Sequence, residues 1–315
     1  MKLTLPDKSI RELEAGSSGF DLAKDIGPGL AKAAVAININ GEQRDLLDPI
    51  NEDAYVSIIT INSEEGLEIM RHTLTAQVLA RAIKNIYPDS ELAIGPTIKD
   101  GFYYDFKTKE AVSIDDLDDI EKEMTKIIES KSKITKKLFS KKDALKVFTG
   151  NKEPYKKLII EDSNQDTDFQ LYFQDDNQFV DLCKGPHLPD LNFIGSFKLT
   201  RVSGAYWKGD SKNEMLTRIY GTAWTNEQDL KKYLLEIEEA EKRDHRKLGK
   251  EMDLFHFQDE APGMVFWHPD GWTIYRNLRN FVRRRLQASN YIEVNTPQVI
   301  DRKLWEASGH WDKYR

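Results

Sequence analysis

The chain has 315 residues, enough for two or three domains at roughly 100–200 residues each. Hydrophobic residues make up 39% and charged residues 31%, which supports real cores and excludes a disordered chain; the net charge of −7 excludes a globally basic nucleic-acid binder but leaves room for local basic surfaces. No run approaches the roughly 18 apolar residues of a membrane span, MKLTLPDKSI has no apolar signal core, and the single cysteine, Cys183, allows neither an internal disulfide nor a Cys-rich zinc module, so a cytoplasmic protein with no membrane partner is expected.

The first sixty residues predict a small mixed domain. Lys2–Leu5 reads as a strand and Pro6-Asp7 as a turn. Phe20–Ile26 and Leu30–Ala34 read as helical turns separated by Pro28-Gly29, and Val35–Ile39 as a strand. Asn40-Gly41 is a strong hairpin signal, and Tyr55–Ile61 closes the segment as an apolar strand. This order suggests a β-grasp fold, and no Gly-rich phosphate loop supports a Rossmann unit.

Ser63–Gly66 is a polar break. From Leu67 to about Ile86 a stripe of Leu67, Met70, Leu74, Val78, Leu79, Ala82, Ile83 and Ile86 predicts a helix. Asp115–Ser130 predicts an amphipathic helix with acids in its first turn. Strands are expected at Leu92–Ile94, Gly101–Phe106, Ile134–Phe139, Phe169–Phe173, Phe179–Cys183, Ser196–Tyr206 and Met215–Trp224. Helices are expected at Lys141–Phe148 and after Tyr155, so the second region is α+β. Thr225–Gln228 matches a capping box opening a charged connecting helix that runs to Gly249. A third region follows, with a helix at Trp272–Ala288 and a strand at Tyr291–Asn295. The acidic run at 115–123, the lysine run at 131–146 and the arginine run at 276–285 each read first as a solvated helix face.

Cys183 and His187 flank Lys184-Gly185-Pro186. A thiol and an imidazole four residues apart make a metal pair, a nucleophile–base pair, or a buried cysteine beside an unrelated histidine. The Gly-Pro between them favours a turn that lets both face one cavity. His72 gains weight only if it shares that pocket. With three candidate ligands and no good fourth, no metal residue is assigned. Gly204–Ser211 mixes glycines, aromatics and charges, and reads either as a platform for a base or ribose or as a turn with packed aromatics. His245, His256, His268 and His310 have no useful partner spacing.

Gly204–Gly209, continued through Asn213–Leu216 and Arg218–Trp224, resembles the bacterial threonyl-tRNA synthetases, as do Cys183–His187, Lys242–Gly249, Gly263–His268 and Trp305–Tyr314. The resemblance covers essentially the whole chain in order. It implies an α+β multidomain protein: a TGS (β-grasp) domain at 1–61, a tRNA editing domain at 62–224, a linker helix at 225–249, and the opening of a class II antiparallel-sheet catalytic domain at 250–315. It implies an editing site of His72, Lys156, Asp181, Cys183 and His187. Where the family has a second histidine this sequence has one residue more and Gln77, which is an uncertain member of the site.

The resemblance further implies a ligase that uses ATP to join threonine to tRNA(Thr), edits tRNA(Thr) mischarged with serine, and forms a homodimer through a first motif that Tyr291–Pro297 resembles. ATP and zinc are implied for the complete enzyme. The family's motifs for them have no match in these residues, so no cofactor is expected on this chain and no aminoacylation by it alone. Two alternatives stay open: an editing hydrolase acting in trans, and a tRNA-binding module with a degraded site, which Gln77 favours.

Overall fold

A computed structural model describes residues 1–174, 178–297 and 301–313, in two units, Met1–Leu234 and Leu235–Arg315. In the first unit the chain runs through β1 (Lys2–Thr4), β2 (Ile10–Glu12), α1 (Gly19–Ile26), α2 (Pro28–Ala33), β3 (Ala34–Ile39), β4 (Glu42–Asp45) and β5 (Ala54–Thr60). These make a five-stranded sheet of order β2-β1-β5-β3-β4, with β1 parallel to β5 and the other neighbours antiparallel. Strand β2 is one that the sequence reading missed, since Ile10–Glu12 lacks an apolar alternation. Asn40 and Gly41 both take positive φ, 52° and 89°, and form the two-residue turn between β3 and β4. Ser18 and Asp21 form the capping box of α1, and Pro28 starts α2, where a missing N–H costs nothing.

Next come α3 (Glu64–Thr73), a π-helix (Leu74–Leu79) and α4 (Ala80–Ile86), capped at their start by the Ser63 side chain, which accepts from Gly66 N. Thr73 to Ala80 are all buried, so the polar residues among them need internal partners. The Thr73 hydroxyl donates to Ile69 O, that of Thr75 donates to Tyr103 O, and Gln77 is bonded to Gln174. Strands β6 (Glu91–Leu92), β7 (Thr97–Ile98) and β8 (Gly101–Lys107) precede α5 (Leu117–Glu129).

A second sheet, of order β11-β10-β9, is built from β9 (Ile134–Phe139), β10 (Phe169–Gln174) and β11 (Phe179–Leu182). Two helices, α6 (Lys141–Gly150) and α7 (Pro154–Asp162), lie between β9 and β10 in sequence. The third sheet runs β12-β13-β8-β6, with β12 (Ser196–Tyr206), β13 (Met215–Trp224) and β7 on β8. One hydrophobic cluster holds this unit together. It joins Val35, Ala36 and Ile59 of the β-grasp sheet to Met70, Leu74, Phe102, Tyr104, Ile120 and Tyr172.

The connecting helix differs from expectation at both ends. It begins as α8 (Glu227–Lys242), and its cap is Asn226 rather than Thr225, because the Asn226 carboxamide oxygen accepts from Asp229 N. It breaks before Gly249: Asp244 accepts from Arg246 N and starts a separate helix, α9 (His245–Glu251).

In the second unit β14 (Phe255–His256) pairs with β15 (Phe266–Trp267), and α10 (Pro269–Ala288), α11 (Arg302–Ala307) and α12 (His310–Lys313) follow. His256 and His268, which had no sequence signal, lie 2.7 Å apart, and His268 also meets Asp253. The strand expected at Tyr291–Asn295 is absent. Ile292 is 88% exposed, and among the described residues no strand pairs with the segment, without which an extended chain makes no ladder. Tyr314, the end of one matched segment, lies outside the described residues.

Candidate active site

Two helices, a strand and the turn that follows it deliver the expected side chains. His72 sits in the last turn of α3. Asp181 is on the inward face of β11, the same face as Phe179. Cys183 and His187 lie on the turn that follows, where Gly185 has φ +64° and the Gly185-Pro186 bond is cis. Glycine is required at 185: a Cβ there would stand 2.0 Å from the Tyr172 hydroxyl. Lys156 comes from the first turn of α7. That helix is anchored by Glu153, which pairs with Lys84 at 2.6 Å and accepts from Leu92 N.

His72 Nε2 lies 2.9 Å from Cys183 Sγ, and the His72 and His187 rings stack at 4.6 Å with 4° between planes. Burial holds the His72 imidazole below the usual histidine range, with Asp181 opposing that shift. It is therefore neutral at pH 7.

The tautomer of His187 follows from a donor count. The one Thr73 hydroxyl proton goes to Ile69 O, at 2.8 Å, while Thr73 Oγ1 accepts from Leu188 N. At the 3.2 Å contact with His187 Nδ1 the imidazole must then be the donor. Its Nε2 is buried and has no hydrogen-bond partner among the described residues.

Lys156 Nζ and Asp181 Oδ1 form an ion pair of 2.6 Å with side chains 3% and 2% exposed. Burial raises the Asp181 pKa, opposed chiefly by Lys156. Tyr104 faces the same acid; burial keeps its hydroxyl protonated, and that oxygen is also unpartnered. A cleft of about 240 Å³ opens on His72, lined by Gln43, Glu68, Ile69, Pro96, Thr97, Gly185 and Pro186.

His72, Cys183 and His187 hold their ligand atoms within 4.8 Å of one another, and two imidazoles with a thiol are donors that zinc accepts in sites keeping a water. The 2.9 Å between His72 and Cys183 is shorter than the roughly 3.5 Å that separates two ligands on one tetrahedral zinc. The pair is a hydrogen bond as it stands.

Gln77 takes no part in the trio's bonding. Gln174 Nε2 donates to both its backbone oxygen, at 2.7 Å, and its side-chain oxygen, at 2.9 Å. The loop Gly204–Ser211 is the packed turn of the two readings: Trp207 is buried against Tyr155, and Lys208 pairs with Asp162. Sequence reasoning missed Thr73, Tyr104 and Tyr172, since none belongs to a residue pattern with a chemical signature. It also read Lys136 as part of a solvated run, whereas Lys136 is 18% exposed and paired with Asp45 and Asp48.

Comparisons agree with the resemblance. The TGS domain family matches residues 1–60, and the family described as "Threonyl and Alanyl tRNA synthetase second additional domain" matches residues 170–220. The chain is 50% identical to a threonine–tRNA ligase of Maricaulis maris over 316 residues, covering 100% of this chain and 49% of the relative. It is 51% identical to that of Teredinibacter turnerae, covering 99% and 49%, and 50% identical to that of Ehrlichia canis, covering 97% and 48%. The chain thus spans about half the length of the curated relatives it matches.

Replacing Lys156 by Met leaves the buried Asp181 without its ionic partner. We expect a loss of about 3–5 kcal/mol in urea unfolding at pH 7. The loss should shrink as the pH is lowered and Asp181 takes up a proton. His72 gives the opposite dependence. Its folded pKa is depressed, so its contribution is complete above the unfolded value of 6.5 and is lost as pH falls through the folded pKa. The urea midpoint of the wild type should drop from pH 7 toward pH 5 by more than that of His72→Gln.

Proposed function

The chain is a relative of the threonine–tRNA ligases over its whole length, and we propose that residues 62–224 form an editing hydrolase that cleaves serine from mischarged tRNA(Thr). The observation that carries the reading is the buried, unpartnered Nε2 of His187, its ring stacked on a His72 that is hydrogen-bonded to Cys183. Serine lacks one methyl of threonine, and one such group gives a binding site only about 1–3 kcal/mol of discrimination. A second, hydrolytic site supplies the rest.

The reaction adds water across the aminoacyl ester, breaking the carbonyl–ribose oxygen bond and releasing serine and the free ribose hydroxyl. His187 Nε2, or His72 at the mouth of the cleft, holds the water and takes its proton. Lys156 stabilises negative charge on the carbonyl oxygen, and Asp181 orients Lys156 or receives the substrate amine. No step in this scheme requires a resident metal, and Gln77, tied to Gln174, offers the trio no fourth ligand.

The complete protein is proposed to use ATP to attach threonine to tRNA(Thr), with zinc in threonine recognition, as a cytoplasmic homodimer. Residues 1–61 are its TGS domain, 225–249 the link, and 250–315 the opening of the class II domain. None of the residues described here is assigned to ATP or to that zinc.

Deacylation of seryl-tRNA(Thr) by the 315-residue chain, followed by release of labelled serine, tests the hydrolase. Hydrolysis above the spontaneous rate, unchanged by a zinc chelator and reduced about 100-fold or more in His187→Ala, is expected. Gln77→His tests the departure in the motif. Because Gln77 stands in a separate hydrogen-bonded pair, the rate should change by less than about threefold, and a gain of tenfold or more would show that a missing imidazole limits the site.

A further inference from the structure

Gln43 and Asp45 are two residues apart on β4 and so share one face of that strand. Both reach the second region. Gln43 lines the cleft that opens on His72. Asp45 Oδ1 accepts from the His187 backbone N–H at 2.8 Å, across 142 residues of sequence. Its Oδ2 accepts from the Tyr172 hydroxyl at 2.8 Å and pairs with Lys136 Nζ at 2.8 Å, while Lys136 also meets Asp48 at 2.5 Å. The Asp45 and Lys136 side chains are only 14% and 18% exposed, so these bonds are little screened by water. Tyr172 in turn meets the His187 ring edge-on at 4.4 Å.

His187 is therefore fixed at three points: its ring nitrogen by Thr73, its ring edge by Tyr172, and its backbone by Asp45. The first two belong to the region that holds the site. The third comes from the β-grasp domain.

We infer that Asp45 is a positioning residue for His187, and that the β-grasp domain braces and partly walls the hydrolytic pocket; for its chemistry this rests on the hydrolase reading above. A carboxylate accepting from a backbone N–H is a strong, directional hold, and this one acts on a turn whose Gly185 lies in the left-handed region. Without it every reacting group is still present, but the turn carrying Cys183 and His187 is free to shift. Misplacement of that kind lowers the rate of the chemical step more than it weakens substrate binding.

The test measures seryl-tRNA(Thr) deacylation by the full 315-residue chain, with kcat and KM separated. The variants are Asp45→Ala, Asp45→Asn and the control Asp25→Asn, whose partner is the surface residue Arg11. Asp45→Ala should lower kcat about 10- to 100-fold with KM within about twofold. Asp45→Asn keeps an oxygen for the His187 N–H and should recover part of the rate, and the control should match the wild type.

Hydrogen exchange at the His187 amide reads the brace without any activity. It should quicken in Asp45→Ala while exchange at Ile37, in the β-grasp core, does not. If the wild type fails to hydrolyse the substrate, the hydrolase reading falls and the exchange data still decide the brace. Wild-type kcat or unchanged His187 exchange in folded Asp45→Ala overturns the inference. Should that variant not fold, Tyr172→Phe, which removes one anchor of Asp45, is measured in both ways, and wild-type behaviour overturns it equally.

Discussion

One row of three side chains sets the geometry of the pocket. In the β9–β10–β11 sheet, Lys136 stands opposite Tyr172, and Tyr172 stands opposite Asp181, so all three project from the same face. At one end Lys136 turns to the acids of the β-grasp domain. At the other Asp181 takes Lys156 from α7. The hydroxyl in the middle touches the first set through Asp45, and its ring touches His187. Slipping any strand by one residue would send its member of the row to the opposite face. The register of a small sheet therefore decides whether the pocket exists.

The cost of this arrangement is a set of buried charges. Lys156, Asp181 and Glu153 lie out of water, and each has an ionic partner at 2.6 Å. Such pairs add little net stability compared with apolar side chains of the same size, since desolvation offsets most of the attraction. Their value lies in uniqueness: a lone member is so unfavourable that the elements carrying the two partners must meet. Several polar atoms nearby stay unsatisfied, among them His187 Nε2, Tyr104 Oη and Gln77 Nε2. In a folded protein such atoms are few, and each is a place where a bound water would complete the hydrogen bonding.

Much of the fold was legible wherever the signal was local. The Asn40-Gly41 turn, the apolar stripe of the central helix and the alternation of the long strands each depend on neighbours a few residues away. Cys183 and His187 stood out for the same reason, as a thiol and an imidazole around a Gly-Pro turn, whereas His72, Lys156 and Asp181 were placed in the site only by the family resemblance. What was hidden depended on distant partners. Lys136 belongs to a run of lysines that reads as a wet surface, and only the acids more than eighty residues earlier make it a structural ion. Tyr172 carries no motif, and Asp45 sits in an ordinary hairpin strand. The extended segment after α10 failed in the opposite sense. Its composition suits a strand, but a strand needs a neighbour as well as a propensity.

The π-helix at Leu74–Leu79 has a further consequence. Its wider turn takes up one residue more than an α-turn over the same rise. The helix on either side can therefore keep its own phase, with Ile69 and Met70 before the bulge and Ala82 and Ile83 beyond it all turned to the core. An insertion in a helix would otherwise rotate everything downstream by about 100°. Here the rotation is absorbed within one turn, so length change and side-chain orientation are uncoupled at this point. A motif defined by fixed spacing would miss such a site, whereas a comparison made by angular position around the helix axis would recover it.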